Sequence, residues 1–357
     1  MRKQRALVSL VCVSLLALTL QGCAIKRWLF GPREEVIIIP EPLADSSATP
    51  SSPATPEDWP TTPSSSQGVI PGLTDGKGDA EVNPQYVTEA DLLKVVSEFQ
   101  RLAGKDTYRF PIPKDVTGAN VYKATLTRLQ DYEAKHPGAY LELLAFTRGR
   151  AYEGLHEYEK AIVQYQIVSQ GKNQLSEEAT KAITILTRFQ ELKQQPLTAN
   201  TPMEYLQALD NQIATWQELQ KEHAGTPYEA LAREEEERLD RVKVTFLELN
   251  RYRIEDGNES VVLAYRQLIG KHQESKNVYR YQIEFADFYV TLAQEYVTQN
   301  DPQSLPFDPS IFEELGRTAL RLYSQVAQED GVMEKLEAKG KLEALEAYMA
   351  RIGRLGR

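Results

Sequence analysis

Cysteine is all but missing from this 357-residue chain: Cys12 and Cys23 are the two present, and both lie at the extreme N-terminus. The rest of the chain can build neither a disulfide framework nor a cysteine zinc site. Histidine is scarce, with His136, His156, His223 and His272 widely spread. Basic charge is in deficit, since 41 lysines and arginines face 51 acids for a formal charge of −10. A nucleic-acid binder needs a basic face to neutralise phosphates, so that class is disfavoured. His-Glu-x-x-His, Gly-x-Ser-x-Gly and P-loop patterns are absent, so no catalytic, cofactor or metal residue is nominated. A mean hydropathy of −0.45 excludes a bundle of membrane helices. Alternating strand patterns are nearly absent as well.

What is present begins with an export signal. Met1–Arg5 carries Arg2, Lys3 and Arg5, and Ala6–Leu20 is apolar apart from Ser9, Ser14 and Thr19. That is a charged region followed by a hydrophobic one, too short for a comfortable membrane span. It ends in Leu20-Gln21-Gly22-Cys23, which resembles a bacterial lipobox. The resemblance implies a lipoprotein signal peptide over 1–22, lipidation of Cys23, and a lipidated membrane-proximal anchor over 23–30. A plain secretory signal and an uncleaved anchor are the competing readings. Cleavage before Cys23 removes three basic residues and leaves a charge of −13. Each buried acyl methylene contributes ~0.8 kcal/mol, so two or three chains hold firmly. Ala24 follows the cysteine where a retained lipoprotein has Asp. By resemblance to enterobacterial lipoproteins, this implies the outer membrane, periplasmic face, over the inner one. Lys26, Arg27, Trp28, Leu29 and Phe30 suit the headgroup interface or are an unremarkable stub.

Residues 31–85 hold ten of the nineteen prolines, and Ser46–Gln67 is nearly all Ser, Thr, Pro and Ala around Trp59. Such a composition cannot bury enough apolar surface to offset chain entropy, so 31–85 reads as a disordered linker. A flexible chain of that length spans ~40 Å on average, enough to hold a domain clear of a membrane. It could also carry O-glycans. Val36-Ile37-Ile38-Ile39 reads as a chance apolar run guarded by Glu34, Glu35 and Pro40, or as an edge strand for a partner. Asp75–Asp79 reads as a turn, lacking the spacing of a calcium or phosphate loop.

From residue 86 onward the chain reads as helical. Leu175, Ala179, Ala182, Ile183 and Leu186 recur at steps of three and four, as do Tyr281, Phe285, Phe288, Leu292 and Tyr296. Each set lines one face of a helix. The pattern predicts helices near 88–102, 119–135, 139–154, 157–169, 175–193, 202–223, 227–253, 259–272, 277–299, 309–328 and 332–353.

The helices also repeat. Gly149-Arg150-Ala151-Tyr152 is followed, nine residues after the tyrosine, by Ala161-Ile162-Val163-Gln164-Tyr165. This resembles a tetratricopeptide repeat (TPR). Gly149 and Ala161 are small where antiparallel helices approach, and Tyr152 and Tyr165 fill the space around them. His156 stands where the family usually has glycine. One hundred residues later, Tyr252, Val261 and Tyr265 answer Tyr152, Ala161 and Tyr165. Leu249 replaces Gly149, so that pair is expected further apart or crossing differently. A weaker echo runs from Ala319 to Val326. Leu126, Leu129, Tyr132 and His136 answer Ile213, Trp216, Leu219 and His223 at an offset of 87, so about 13 inserted residues are expected to lengthen the 227–253 helix. The expected fold is all-α: a TPR-like solenoid of helical hairpins over 86–357.

A solenoid of this kind presents a concave groove suited to an extended peptide or partner helix. By family geometry, Phe146, Arg150 and Glu153 are groove candidates, with Asn250 and Arg253 one unit later. His136 and His223 read as helix-end residues. The run Glu234–Glu237 between Arg233 and Arg238 reads as a solvated face laced with local pairs, or as an acidic docking surface for a basic partner. The expected function is a lipid-anchored, periplasm-facing scaffold without chemistry of its own. It would position envelope proteins or peptides. The alternative is an envelope glycan-cleaving enzyme of lytic type on a helical solenoid.

Overall fold

The computed structural model describes residues 84–355. The signal peptide, Cys23, the 23–30 anchor and nearly all of the 31–85 linker lie outside the described residues. Among the described residues the chain forms eleven helices. They are α1 (Pro84–Ala103), α2 (Val121–Lys135), α3 (Leu141–Gly154), α4 (Tyr158–Val168), α5 (Gln174–Gln194) and α6 (Pro202–Glu222). α7 (Pro227–Asn250), α8 (Gly257–Lys271), α9 (Val278–Gln299), α10 (Pro309–Gln328) and α11 (Lys335–Leu355) complete the set. No strand forms among these residues, only an isolated bridge between Lys114 and Asn120. All eleven expected helices are present, with ends shifted by no more than four residues. None of them is long and apolar enough to cross a membrane.

The helix ends are written locally. Asn173 accepts from the Ser176 N–H while the Ser176 side chain accepts from the Asn173 N–H, a capping box for α5. Asn120, Thr201 and Asp308 cap α2, α6 and α10 through their side chains. Pro202, Pro227 and Pro309 open α6, α7 and α10, where a missing N–H costs nothing. His136 and His223 end α2 and α6, donating backbone N–H groups to the Tyr132 and Leu219 carbonyls. Gly138 (φ 77°) and Gly225 (φ 76°) follow in the left-handed region, which glycine adopts without a Cβ penalty.

Packing follows chain order. α1 through α5 pack each on the next, and so do α6 through α11. α5 and α6 meet through large rings, Phe189 standing edge-on to Trp216 at 5.0 Å. The buried apolar side chains accordingly fall in clusters strung along the chain, from Leu92 and Leu129 at one end to Ala338 and Ile352 at the other. Each fully buried large side chain contributes roughly 1.5–3 kcal/mol.

The clearest repeat pair depends on one close approach. A Cβ on Gly149 would lie 2.6 Å from the Tyr165 ring, so α3 reaches α4 only because that position carries no side chain. Ala161 and Tyr165 are fully buried there, and Tyr152 is partly buried against the same cluster. In the later copy Val261 and Tyr265 are buried, with Tyr265 stacked on Phe285 at 5.0 Å. Tyr252 departs from the expectation of repeat packing, because α7 ends at Asn250 and places it in the following turn. It is 51% exposed, hydrogen-bonded to Glu295, with Arg251 against its ring. Leu249, at the place of Gly149, is 43% exposed. α7 has 24 residues against 14 in α3, an extension of about three turns.

Candidate functional site

The extension of α7 carries the Glu234–Glu237 run, and the structure overturns its reading as a solvated face. Glu235, Glu236 and Glu237 are 1%, 3% and 2% exposed. Successive helix positions point about 100° apart, so each acid meets a different wall. Glu234 accepts from His156 Nε2 at 2.8 Å and Lys276 Nζ at 2.7 Å. Glu235 accepts from His156 Nδ1 at 3.0 Å, the Tyr158 hydroxyl at 3.0 Å and Arg238 at 2.7 Å, with Lys193 at 3.3 Å. Glu236 takes Gln217 at 2.7 Å and Lys271 at 2.6 Å. Glu237 takes Ser275 at 2.5 Å, Asn277 at 3.1 Å and Tyr281 at 2.7 Å. The four carboxylates thus join α3–α4, α5, α6, α8 and α9 to one helix.

His156 is the hinge of this hub. Burial alone would push its pKa down, but the Glu234 and Glu235 carboxylates outweigh that and raise it to about 9. Burial likewise opposes ionisation of Glu234, yet His156 and Lys276 hold it down at about 2. Glu235 is pulled below the usual carboxylate range by the same imidazolium, with Arg238 and Lys193 assisting. His156 also has φ 58°, a left-handed conformation that glycine alone adopts without a Cβ penalty. That strain, on the order of 1 kcal/mol, is offset by the two charge-assisted hydrogen bonds.

A strap from 104 to 120 links α1 to α2 and reaches the turn between α8 and α9. The Tyr108 carbonyl accepts from the Lys276 N–H at 2.9 Å, and its hydroxyl hydrogen-bonds His272 Nδ1 at 2.6 Å. His272 Nε2 in turn pairs with Asp240 at 2.9 Å. The Arg233 guanidinium lies 4.0 Å over the Tyr108 ring, and Arg109 meets Glu274 at 2.6 Å. Burial raises the Tyr108 phenol well above its ordinary value, so it stays protonated. Asp106 accepts from the Tyr122 hydroxyl at 2.7 Å and from Lys276 at 3.3 Å.

Between the strap, α3 and the start of α7 lies a cavity of about 690 Å³. α1 contributes Val96 and Phe99; α2 and α4 contribute Tyr122 and Tyr165; α5 contributes Glu178 and Lys181; α7 contributes Tyr228 and Leu231. α3 forms its centre with Phe146, Thr147, Arg150 and Glu153. Arg150 donates to Glu153 at 2.9 Å, as does the Tyr228 hydroxyl at 3.3 Å. Glu153 is 4% exposed, and its burial raises its pKa against the pull of Arg150. Arg150 keeps 42% of its side chain open to solvent. A Cβ on Gly154 would collide with the Tyr122 ring, so this wall too depends on a glycine.

Of the groove candidates, the fold brings Phe146, Arg150 and Glu153 together in this cavity. Asn250 and Arg253 are not part of it. Asn250 is fully buried, donating to the Phe246 carbonyl, and Arg253 lies in the turn after α7. Sequence reasoning missed the strap, Tyr122, Lys181 and the buried acids. Among the described residues no group of three His, Cys, Asp or Glu side chains is placed to hold a metal ion. Compared with known proteins, the chain matches no family model, no curated protein and no solved structure.

Proposed function

We propose that this protein is a lipid-anchored TPR-type scaffold, tethered through Cys23 to the periplasmic face of the outer membrane. It holds envelope protein partners on the face that carries the Arg150 cavity. The inner membrane is the alternative site of anchoring. The observation that carries the reading is the cavity itself: an aromatic-walled hollow of about 690 Å³ with a partly exposed arginine at its centre. Hollows of this size with a few convergent polar groups are the default ligand sites of a fold. Helices packed in chain order supply the extended surface that such a scaffold needs.

The glycan-cleaving alternative draws on one observation, the buried Glu153 carboxyl with its raised pKa beside that hollow. Its pairing with Arg150 at 2.9 Å works against a general-acid role, because it favours the ionised form. Two experiments separate the readings. Full-length protein, extracted in detergent from native membranes, is expected to retain envelope proteins that a Cys23→Ala chain loses. Incubation with peptidoglycan is expected to release no muropeptides. Equal retention by the Cys23→Ala chain would remove the anchor from the account, and muropeptide release would replace the scaffold by the enzyme.

A further inference from the structure

The strap meets α7 and the α8–α9 turn as a ligand meets a receptor. Of residues 104–120 Tyr108 alone is buried, while its neighbours Thr107, Arg109 and Phe110 stay exposed. The Thr107 carbonyl accepts from the Phe110 N–H at 3.2 Å, which folds these four residues into a turn with Tyr108 at its tip. The phenol enters a seat with Arg233 over its ring and His272 at its hydroxyl. That seat is held by bonds of its own. Asp240 takes His272 Nε2 at 2.9 Å and Lys271 at 2.6 Å, which leaves Nδ1 as an acceptor for a hydroxyl. Ser275 beside it donates to Glu237 at 2.5 Å. Without the strap, Lys276 would keep Glu234 and Arg233 would keep Glu274. The Lys276 N–H and the face of the Arg233 guanidinium would then be open to another carbonyl and another ring. The flanking Arg109–Glu274 pair is exposed on both sides and contributes little. A preformed polar seat around one buried aromatic anchor is the anatomy of a docking site.

We propose that this seat docks a tyrosine carried at the tip of a turn on a partner protein, and that the strap fills it in cis as an autoinhibitory plug. This goes beyond the scaffold reading, because it names a second contact, on α7 and the α8–α9 turn. An incoming tyrosine repeats what Tyr108 makes. Its ring lies under Arg233, its hydroxyl donates to His272 Nδ1, and its carbonyl accepts from the Lys276 N–H. One buried tyrosine replaces another, so the exchange forfeits little burial. The strap is tied at both ends, to α1 and α2, and competes at an effective concentration of about 1 mM. Asp106, Thr107 and Tyr108 also line the Arg150 cavity, so displacement of the strap opens that wall as well.

The test uses the full chain in detergent and a fluorescent peptide of residues 104–113 with both termini blocked. A Tyr108→Ala chain, its strap released, is expected to bind this peptide at least tenfold tighter than wild type does. A peptide with alanine in place of the tyrosine is expected to bind neither chain. Arg233→Gln added to the Tyr108→Ala chain is expected to weaken the peptide several-fold. If circular dichroism shows that Tyr108→Ala has lost its helices, the Tyr108→Phe chain decides instead. It keeps the ring, loses the bond to His272, and is expected to bind several-fold tighter than wild type. No gain in peptide binding by the folded variant, or a gain that Arg233→Gln leaves untouched, overturns the proposal. A second peptide keeps only Thr107–Phe110 and replaces its flanks by glycine and serine. Binding within tenfold of the first shows that a tyrosine turn from another protein is accepted. Binding by the strap's full sequence alone reserves the seat for this chain and overturns the assignment to a partner. None of these outcomes depends on an envelope protein being captured, so the scaffold reading stands or falls separately.

Discussion

The His156 hub makes stability fall on the alkaline side of neutrality. His156 titrates near 6.5 in an unfolded chain and at about 9 in the fold. The folded state therefore holds the proton more tightly, and the stabilisation is complete below pH 6.5. It is lost as pH rises through about 9. That interval corresponds to at most about 3 kcal/mol. The side chain is 24% exposed, so screening reduces the figure to about 2 kcal/mol. The groups around it are Glu234, Glu235 and Tyr158, with Lys193 donating to its carbonyl at 3.0 Å. Glu234, at about 2, and Glu235, held below the usual carboxylate range, stay ionised between pH 6.5 and 9, and Tyr158, raised by burial, stays protonated. Urea unfolding at a series of pH values is the assay. The free energy of unfolding is expected to drop by about 2 kcal/mol between pH 6 and pH 9.5. In His156→Gln the same interval should be flat to within about 0.5 kcal/mol, with lower stability throughout. An undiminished slope in the variant would refute the reasoning, because the proton would then belong to another group.

Other perturbations probe separate links. Glu235→Gln leaves His156, Arg238 and Lys193 facing a buried neutral group, and is expected to cost roughly 3–5 kcal/mol by urea unfolding. Gly149→Val drives a side chain into the Tyr165 ring and is expected to cost roughly 1–3 kcal/mol or more. A thermal midpoint equal to wild type would show that α3 and α4 are not in close contact. Tyr108→Ala removes the strap's buried anchor, and limited proteolysis is expected to cut within 104–120 faster than in wild type while the remaining helices persist. Uniform loss of helix by circular dichroism would mean that the strap is part of the global folding unit.

The helices were legible because their signals are local. Periodic apolar residues, the Asn173–Ser176 capping box and prolines at first turns fix ends within a few residues. The Gly149–Tyr165 approach was legible for the same reason, since a small residue and an aromatic recur at helical spacing on neighbouring helices. The acid run was not. Arg-Glu-Glu-Glu-Glu-Arg has the local appearance of a surface, and its burial depends on partners such as His156 and Lys276, which lie far away in the chain. Tyr252 was misread because two residues of helix end separate a core position from a turn. The cavity is half legible: α3's groove face could be assigned from the repeat, but its opposite wall is a strap with no periodicity to read.

The central claim is that the Arg150 face is the working surface. Site-specific photo-cross-linking in native membranes tests it most directly, with the reactive side chain placed at Lys181 on the cavity rim and, as the control, at Ile167, 50% exposed on α4. Capture of the same envelope protein from position 181 and not from 167 is the outcome the account predicts. Capture from 167 with none from 181 would contradict it.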